Sequence, residues 1–159
     1  MTEARIYEAL KEDHNHHRRL LQQIGATDDR SERTSLFETL RKELQAHAAA
    51  EEESLYATML GNPDLRDEAR HSVSEHKEID DFLGELVEAD EGSDTWTETF
   101  EKMRHRYLHH IDEEEADMFP EAAEKLSDAE EERLSETFEQ RKPEELARAA
   151  EELPGDARE

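Results

Sequence analysis

The sequence predicts an all-α protein: an antiparallel up-down-up-down four-helix bundle with an additional C-terminal helix. Three observations support this fold class. Apolar residues recur at steps of three and four through long segments, as they do along one face of a helix. Glycine and proline number only five and four among 159 residues and are nearly absent inside those segments. Runs of β-branched residues are missing, which argues against strands.

Turn-forming residues divide the chain into segments of about 25–30 residues. These breaks lie at Gly25 with residues 27–29, at residues 61–64, at residues 90–94, and at Pro120 with residues 126–132. Four helices joined by such short connections pack as antiparallel neighbours.

Each of the four segments carries one apolar stripe that also contains polar residues. The stripes consist of Ile6, Leu10, His14, His17, Leu21 and Ile24; of Leu40, Leu44, His47, Glu51 and Leu55; of Val73, His76, Ile79, Leu83 and Leu86; and of Trp96, Phe100, Met103, Tyr107, His110, Glu114 and Met118. Charged residues occupy most of the intervening positions. This pattern is typical of amphipathic helices that bury one face.

A fifth helix is predicted after the bundle. Ser127 and Glu130 have the spacing of a capping box, which marks a helix start. Pro143 is expected to break this helix, and the mostly charged residues 144–159 are expected to form a peripheral or frayed tail. The predicted domain organisation is therefore a bundle over residues 1–126, followed by a peripheral helix and charged tail over residues 127–159.

Composition excludes several classes of function. The chain has 45 acidic and 20 basic residues, a net charge of −25. Such a charge argues against nucleic acid and anionic membranes as partners, because both are bound through Lys and Arg patches. The absence of cysteine excludes disulfides and thiolate metal sites. The N-terminal sequence has no apolar core of a secretory signal, so we expect a cytoplasmic protein.

The second and fourth helices repeat one motif. It reads HAAAEEESLYATML from residue 47 and HIDEEEADMFPEAA from residue 110, an offset of 63 residues. The first and third helices match more weakly, with His14 in EDH and His76 in SEH at an offset of 62. The bundle is therefore predicted to consist of two similar helix pairs.

Polar residues at predicted core positions indicate a metal site. Each helix places at least one histidine in its apolar stripe, and two glutamates lie one helical turn beyond two of those histidines. A buried ionised glutamate without a partner costs several kcal/mol. Hydrogen bonds among these side chains can compensate the buried charge, and two divalent cations bridged by the carboxylates compensate it more completely. Imidazole suits iron, copper, nickel and zinc. The candidate ligands are His14, His47, Glu51, His76, His110 and Glu114.

These motifs resemble those of the hemerythrin-like HHE cation-binding domain family. The resemblance covers residues 3–125 and rests on EDH at 12–14, HAAAEEESLY at 47–56, SEH at 74–76 and HIDEEEADMFP at 110–120. It implies a cofactor of two non-heme iron ions in a bridged centre. By this resemblance, His14 and His47 hold one iron, His76 and His110 hold the other, and Glu51 and Glu114 bridge them.

The resemblance also implies a function. Members of the family bind dioxygen, sense oxygen or redox state, handle iron, or react with nitric oxide or peroxide. We therefore expect a protein that binds or senses dioxygen or a related small molecule, and favour a binding domain over an enzyme. Iron handling or storage and a di-iron redox enzyme are the alternatives. The sequence does not identify a protein partner.

The third helix departs from the oxygen-carrying members of the family. Those proteins carry His-x3-His there, whereas here Ser72 and Asp80 lie four residues before and after His76. Fewer histidines leave more open coordination positions, which argues against simple oxygen carriage. Three nearby residues have open roles: Asp80 as a solvated acid or ligand, His17 as a further ligand or a neighbour of the site, and Tyr107 as core packing or a hydrogen-bond donor.

Other classes fit less well. Ferritin-like di-iron proteins use Glu-x2-His, but Leu44, Val73 and Tyr107 lie three residues before the candidate histidines. A metal-dependent hydrolase needs a substrate cleft, for which a sealed small bundle has little room. A regulator and a purely structural bundle remain as non-catalytic alternatives. We interpret the surface pair His105 and His109 as solvated, with adventitious binding of zinc or nickel as the alternative. The acids at 52–53, 113 and 115 are interpreted as solvated faces, with capture of a metal during loading as the alternative for one of them.

Overall fold

The computed structural model describes residues 3–155 of the chain. Over these residues it contains α-helices and two π-helical turns, and no strand. The helices are α1 (Arg5–Ala26), α2 (Arg30–Glu51), α3 (Ala57–Leu60), α4 (Arg66–Glu88), α5 (Asp94–Glu113), α6 (Phe119–Lys125) and α7 (Asp128–Glu151). The predicted all-α fold class is confirmed. None of the helices in this range combines the length and hydrophobicity that a membrane span requires.

The two π-helical turns lie inside the second and fourth long helices of the bundle. Glu52–Tyr56 joins α2 to α3, and Glu114–Met118 joins α5 to α6. A π turn inserts one extra residue into a helix and often occurs at a functional site. Both turns start at or beside the repeated glutamates Glu51 and Glu114. The internal repeat is therefore a repeat of backbone geometry as well as of sequence.

Contacts between the connections show how the chain winds. Arg30, at the start of α2, donates to the Asp90 carboxylate before α5 at 3.0 Å. At the opposite end, the Lys125 ammonium lies 4.0 Å from the carboxylate of Asp64. The first and third connections thus meet at one end of the bundle, and the second and fourth meet at the other end, as the predicted up-down-up-down bundle requires.

The apolar core forms two clusters with a polar level between them. One cluster includes Leu10, Tyr56 and Phe119. The other includes Leu44 and Trp96, together with residues of α4. On each long helix, the candidate histidine lies between residues of one cluster and residues of the other. On α1, His14 follows Leu10 of the first cluster and precedes Leu21 of the second. Close-packed apolar layers on both sides separate this level from solvent.

The C-terminal helix does not end at Pro143. It continues to Glu151, so the predicted break at Pro143 is wrong, and residues 144–151 are helical rather than frayed. Residues 156–159 of the predicted tail lie outside the described residues. Packing along α2 offsets the hydrogen bond that proline removes. Phe138 joins the cluster around Leu10, and beyond the proline the buried Arg41 guanidinium donates to the Ala149 carbonyl at 3.1 Å. Tertiary contacts on both sides of Pro143 hold the helix together.

The predicted capping box is present at the start of α7. The Ser127 hydroxyl accepts from the Glu130 backbone N–H at 3.1 Å, and the Glu130 carboxylate accepts from the Ser127 N–H at 3.0 Å. We expect Ser127→Ala to lower the free energy of unfolding by about 1 kcal/mol, because a helix N–H loses its acceptor. Urea denaturation measures this change. Ser35→Ala, at an exposed position within α2, is the control, and an equal effect of the two substitutions would contradict the prediction.

Candidate metal centre

The six candidate ligands converge at the polar level of the bundle. All are buried, with exposed fractions between 0% and 7%. Glu51 Oε1 lies 3.5 Å from His47 Nε2 and 3.3 Å from His76 Nε2. Glu114 lies 3.5 Å from His110 Nε2 and 3.3 Å from His14 Nε2. Each carboxylate therefore faces one imidazole from its own helix pair and one from the other pair.

The donor atoms form two overlapping groups. One group is His14, His47, Glu51 and Glu114, and the other is Glu51, His76, His110 and Glu114. Within each group, one donor atom per residue lies within 4.8 Å of all the others. Since both glutamates belong to both groups, the arrangement is that of two neighbouring cation positions with shared carboxylates.

Several of these atoms have no hydrogen-bond partner although they are buried. They are His14 Nε2, His47 Nε2, both carboxylate oxygens of Glu51, and Glu114 Oε1. A buried polar atom without a partner costs about 1–3 kcal/mol, more when it is charged. Cations at the two positions would satisfy all of these atoms together. The residues present thus fit a dinuclear metal centre.

The other ring nitrogen of each histidine contacts an outer carboxylate. His47 Nδ1 lies 2.8 Å from Asp13, and His110 Nδ1 lies 2.9 Å from Glu75. A proton on Nδ1 directs the lone pair of Nε2 towards the centre, and metal-binding histidines are commonly oriented in this way. Asp13 and Glu75 precede His14 and His76, so they are equivalent in the repeat.

A second equivalent pair of carboxylates contacts the remaining two candidate histidines. His14 Nδ1 lies 2.7 Å from Glu115, and His76 Nδ1 lies 3.4 Å from Glu52. These acids follow the repeated glutamates directly. The interpretation of Glu52 and Glu115 as merely solvated acids is wrong, because both contact a buried imidazole. Sequence analysis missed all four outer carboxylates, although their positions within the repeat were a usable signal.

The electrostatics show how the centre is balanced without metal. Burial alone would lower the pKa of His14, but the nearby carboxylates of Glu114 and Glu115 raise it to about 9. For His76, the nearby carboxylates of Glu51 and Glu52 outweigh burial and raise the pKa to about 10. Burial and the neighbouring Glu51 raise the pKa of Glu114. Protons thus neutralise the carboxylates at neutral pH, and any bound cation must displace them.

The residues with open roles lie beside the two donor groups rather than within them. His17 is fully buried, and its Nδ1 lies 2.7 Å from the Tyr107 hydroxyl. Its ring packs edge-on against His47 at a centroid distance of 5.2 Å. Asp80 accepts from the Gly155 N–H at 3.0 Å, which gives it a structural contact near the chain end. Tyr56, which packs in the core, also donates its hydroxyl hydrogen to Glu114.

Comparison with known proteins identifies the family of the chain. The family model of the hemerythrin HHE cation-binding domain matches residues 5–122. The chain belongs to the hemerythrin HHE family. A crystal structure of a hemerythrin HHE cation-binding domain-containing protein from Mycobacterium kansasii is similar to this chain at 28% sequence identity and a TM-score of 0.78. The match covers 95% of this chain and 91% of that one. No curated protein matches the sequence significantly.

Membership of the hemerythrin HHE family establishes a cation-binding domain. The resemblance inferred from the repeated motif is therefore confirmed. The match ends at residue 122, so α7 lies beyond the family model although it packs against α2. The individual ligand assignments remain predictions, which the buried donor groups support.

We expect Asp13→Asn to weaken metal binding by about 10- to 100-fold without unfolding the bundle. Asparagine keeps the shape of Asp13 but removes the charge that orients the His47 imidazole. Competition with a chelator of known affinity measures the change. Asp28→Asn, at an exposed position between α1 and α2, is the control. Equal affinities of the two variants would show that Asp13 does not position His47.

Proposed function

We propose that this hemerythrin HHE protein holds two non-heme iron ions in a bridged centre and binds or senses dioxygen or a related small molecule, such as nitric oxide or peroxide. The observation that carries the proposal is the sharing of both buried glutamates, Glu51 and Glu114, by two groups that each contain two imidazoles. Imidazole and carboxylate ligands together suit iron.

The donor count supports binding of an external ligand. Each ion position has two imidazoles and two shared carboxylates from the protein. An octahedral ion has six positions, so solvent, a bridge or an external molecule must complete it. When bound, iron supplies reversible redox chemistry towards dioxygen, nitric oxide or peroxide. The protein contributes the enclosure: apolar clusters on either side exclude water from the bound molecule.

The outer carboxylates favour a centre whose imidazoles keep their orientation while external ligands bind and leave. Asp13, Glu52, Glu75 and Glu115 each contact one of the four imidazoles. Such contacts hold the rings in one orientation and raise their basicity as ligands. The metal-binding geometry is thus built before metal arrives, as a centre with a repeated binding reaction requires.

A di-iron redox enzyme is the second candidate, and one observation favours it. The hydroxyl of the fully buried Tyr56 donates to Glu114, and that of Tyr107 contacts His17. Burial raises the pKa of both tyrosines, so these groups act as hydrogen-bond donors beside the centre, as binding of a peroxide substrate would require. Turnover of peroxide separates this function from reversible binding.

Metal analysis combined with anaerobic and aerobic optical spectra tests the proposal. The protein is expressed with iron, and the iron content per chain is measured. About two irons per chain, with a charge-transfer band that appears on exposure to oxygen, are expected. Reversal of the band on degassing indicates binding or sensing, and continued peroxide consumption indicates an enzyme. If the protein is folded and helical but binds no transition metal, a purely structural bundle is the better interpretation.

A further inference from the structure

A pocket between α4 and α5 connects the protein surface with the candidate metal centre. Its volume is about 460 Å³. Exposed and half-buried residues of both helices line its outer part, and two candidate ligands line its inner part. These residues include Glu68, His71, Glu113 and Asp117 on the outside and His110 and Glu114 on the inside. The pocket therefore offers a path from solvent to the buried donors.

The outer part of this pocket contains a third group of metal-binding side chains. It consists of His71 and Glu75, one turn apart on α4, and Glu113 on α5. His71 Nε2 lies 3.4 Å from Glu75 Oε1 and 4.0 Å from Glu113 Oε1. One donor atom from each residue lies within 4.8 Å of the other two. One imidazole and two carboxylates can hold a divalent cation whose remaining positions face solvent.

Glu75 links this outer group to the buried centre. The same oxygen that faces His71, Oε1, also accepts from His110 Nδ1 at 2.9 Å. At the inner end of the pocket, Glu114 is only 2% exposed, and its Oε1 atom is buried without a hydrogen-bond partner. An unpaired buried carboxylate oxygen at the end of an acidic pocket is an acceptor for a cation that enters through it.

The equivalent position in the other half of the repeat lies beside a positive charge. Asp13, the equivalent of Glu75, lies 2.8 Å from the Lys142 ammonium of α7. Lys142 also lies 3.4 Å from Glu43 and is only 15% exposed, so it fixes a positive charge beside Asp13. By contrast, no Lys or Arg lines the α4–α5 pocket in the described part of the chain. The two halves share their inner geometry but differ in the charge beside the outer carboxylate.

The charge of the pocket suits cation capture. Burial and a hydrogen bond with Glu121 raise the pKa of Glu68 to about 7, because carboxylates crowd together at this edge. A cleft lined by one sign of charge concentrates counter-ions and raises their rate of association by about 10- to 1,000-fold. His71 adds a nitrogen ligand, which favours transition metals over magnesium and calcium.

We propose that His71, Glu75 and Glu113 form an outer site that captures a divalent transition-metal cation and passes it to the buried centre. The proposal rests on the dinuclear centre proposed above. Transfer is an exchange of ligands: the cation leaves His71 and Glu113 and gains the inner carboxylate of Glu114. Glu75 belongs to the outer group and also contacts an inner imidazole, that of His110.

Loading of the metal-free full-length protein with Co²⁺ tests this proposal. Visible absorption follows the rate of loading, and equilibrium dialysis with metal analysis gives the stoichiometry. The test variant is His71→Ala/Glu113→Gln, which leaves Glu75 and its contact with His110 intact. The control is His105→Ala/Glu136→Gln, which removes one exposed imidazole and one exposed carboxylate away from the pocket.

The test variant is expected to bind one Co²⁺ fewer than the wild-type protein and to load the buried centre about tenfold more slowly. The control should match the wild type in both measurements. Unchanged stoichiometry in the test variant would overturn the outer site. Loss of one ion without slower loading would overturn its role in transfer.

A second pair of proteins separates this proposal from the proposed function. In His47→Ala/Glu51→Ala the buried centre is removed, and the outer site should still bind one Co²⁺. That ion should disappear when His71→Ala/Glu113→Gln is added. Loss of one ion at this step supports the outer site. This holds even if the buried centre of the wild-type protein binds no metal, which is the result that would refute the proposed function. No difference between the two proteins would overturn the outer site.

Discussion

Glu51→Ala is expected to abolish binding of both metal ions. The Glu51 carboxylate belongs to both donor groups and faces His47 and His76, one from each helix pair. Its removal takes a charged donor from each position and leaves Glu114 as the remaining carboxylate that both positions share. His47→Ala removes a ligand from one position only, so it should lose at least the ion shared with His14. Metal analysis of protein expressed with iron gives the stoichiometry of each variant.

Glu53→Ala is the matched control. Glu53 lies two residues from Glu51, is exposed, and pairs with Arg141 at 3.4 Å. It should keep the wild-type iron content. Circular dichroism of each variant tests whether the helices persist, because loss of a folded bundle would also release metal. Full iron stoichiometry in both Glu51→Ala and His47→Ala would show that the assigned ligand set is wrong.

The candidate ligands could be predicted because each breaks a pattern along a single helix. A stripe with the period of 3.6 residues fixes which side chains face the core. His47 and Glu51 occur in such a stripe, and the repeat places His110 and Glu114 at the same level. Buried charge at an apolar position requires compensation, so residue type and position together indicate a metal site.

Contacts between helices could not be predicted in the same way. A helical pattern gives the face on which Glu115 lies. It does not give the distance between this helix and α1, on which His14 contacts Glu115. Without that distance, an acid at the edge of a stripe looks the same whether it contacts solvent or an imidazole. The repeat held the missing information: acids precede His14 and His76, and acids follow Glu51 and Glu114.

The C-terminal helix shows a different limit. Local propensity correctly placed its start at Ser127, where the capping contacts involve neighbouring residues. Local propensity failed at Pro143, because the contacts that hold the helix there come from α1 and α2. Lys142, directly before the proline, binds Asp13 on α1 and Glu43 on α2. Tertiary packing overrides the helix-breaking tendency of a single residue.

The metal-free protein is expected to lose stability as the pH rises from 7 to 10. The pKa of His14 is about 9 and that of His76 about 10 in the folded protein, against an ordinary value of 6.5. The folded state therefore binds more protons than the unfolded state between these values, so stability falls as pH rises. The contribution is fully present below pH 6.5. Each unit of pKa difference corresponds to about 1.4 kcal/mol, and urea denaturation at several pH values measures the loss.

Bound metal should remove this dependence, because protons and cations compete for the same donor atoms. Ligand imidazoles are neutral, so the loaded protein has no proton to lose from His14 or His76 as the pH rises. Loading should also release protons, which a pH indicator detects at pH 7.5 in weak buffer. Glu114→Gln removes the carboxylate that contributes most to the raised pKa of His14 and one of those that raise the pKa of His76, and should make the profile of the metal-free protein less steep. A metal-free wild-type protein whose stability is constant or increases between pH 7 and 10 would contradict the proton-neutralised centre.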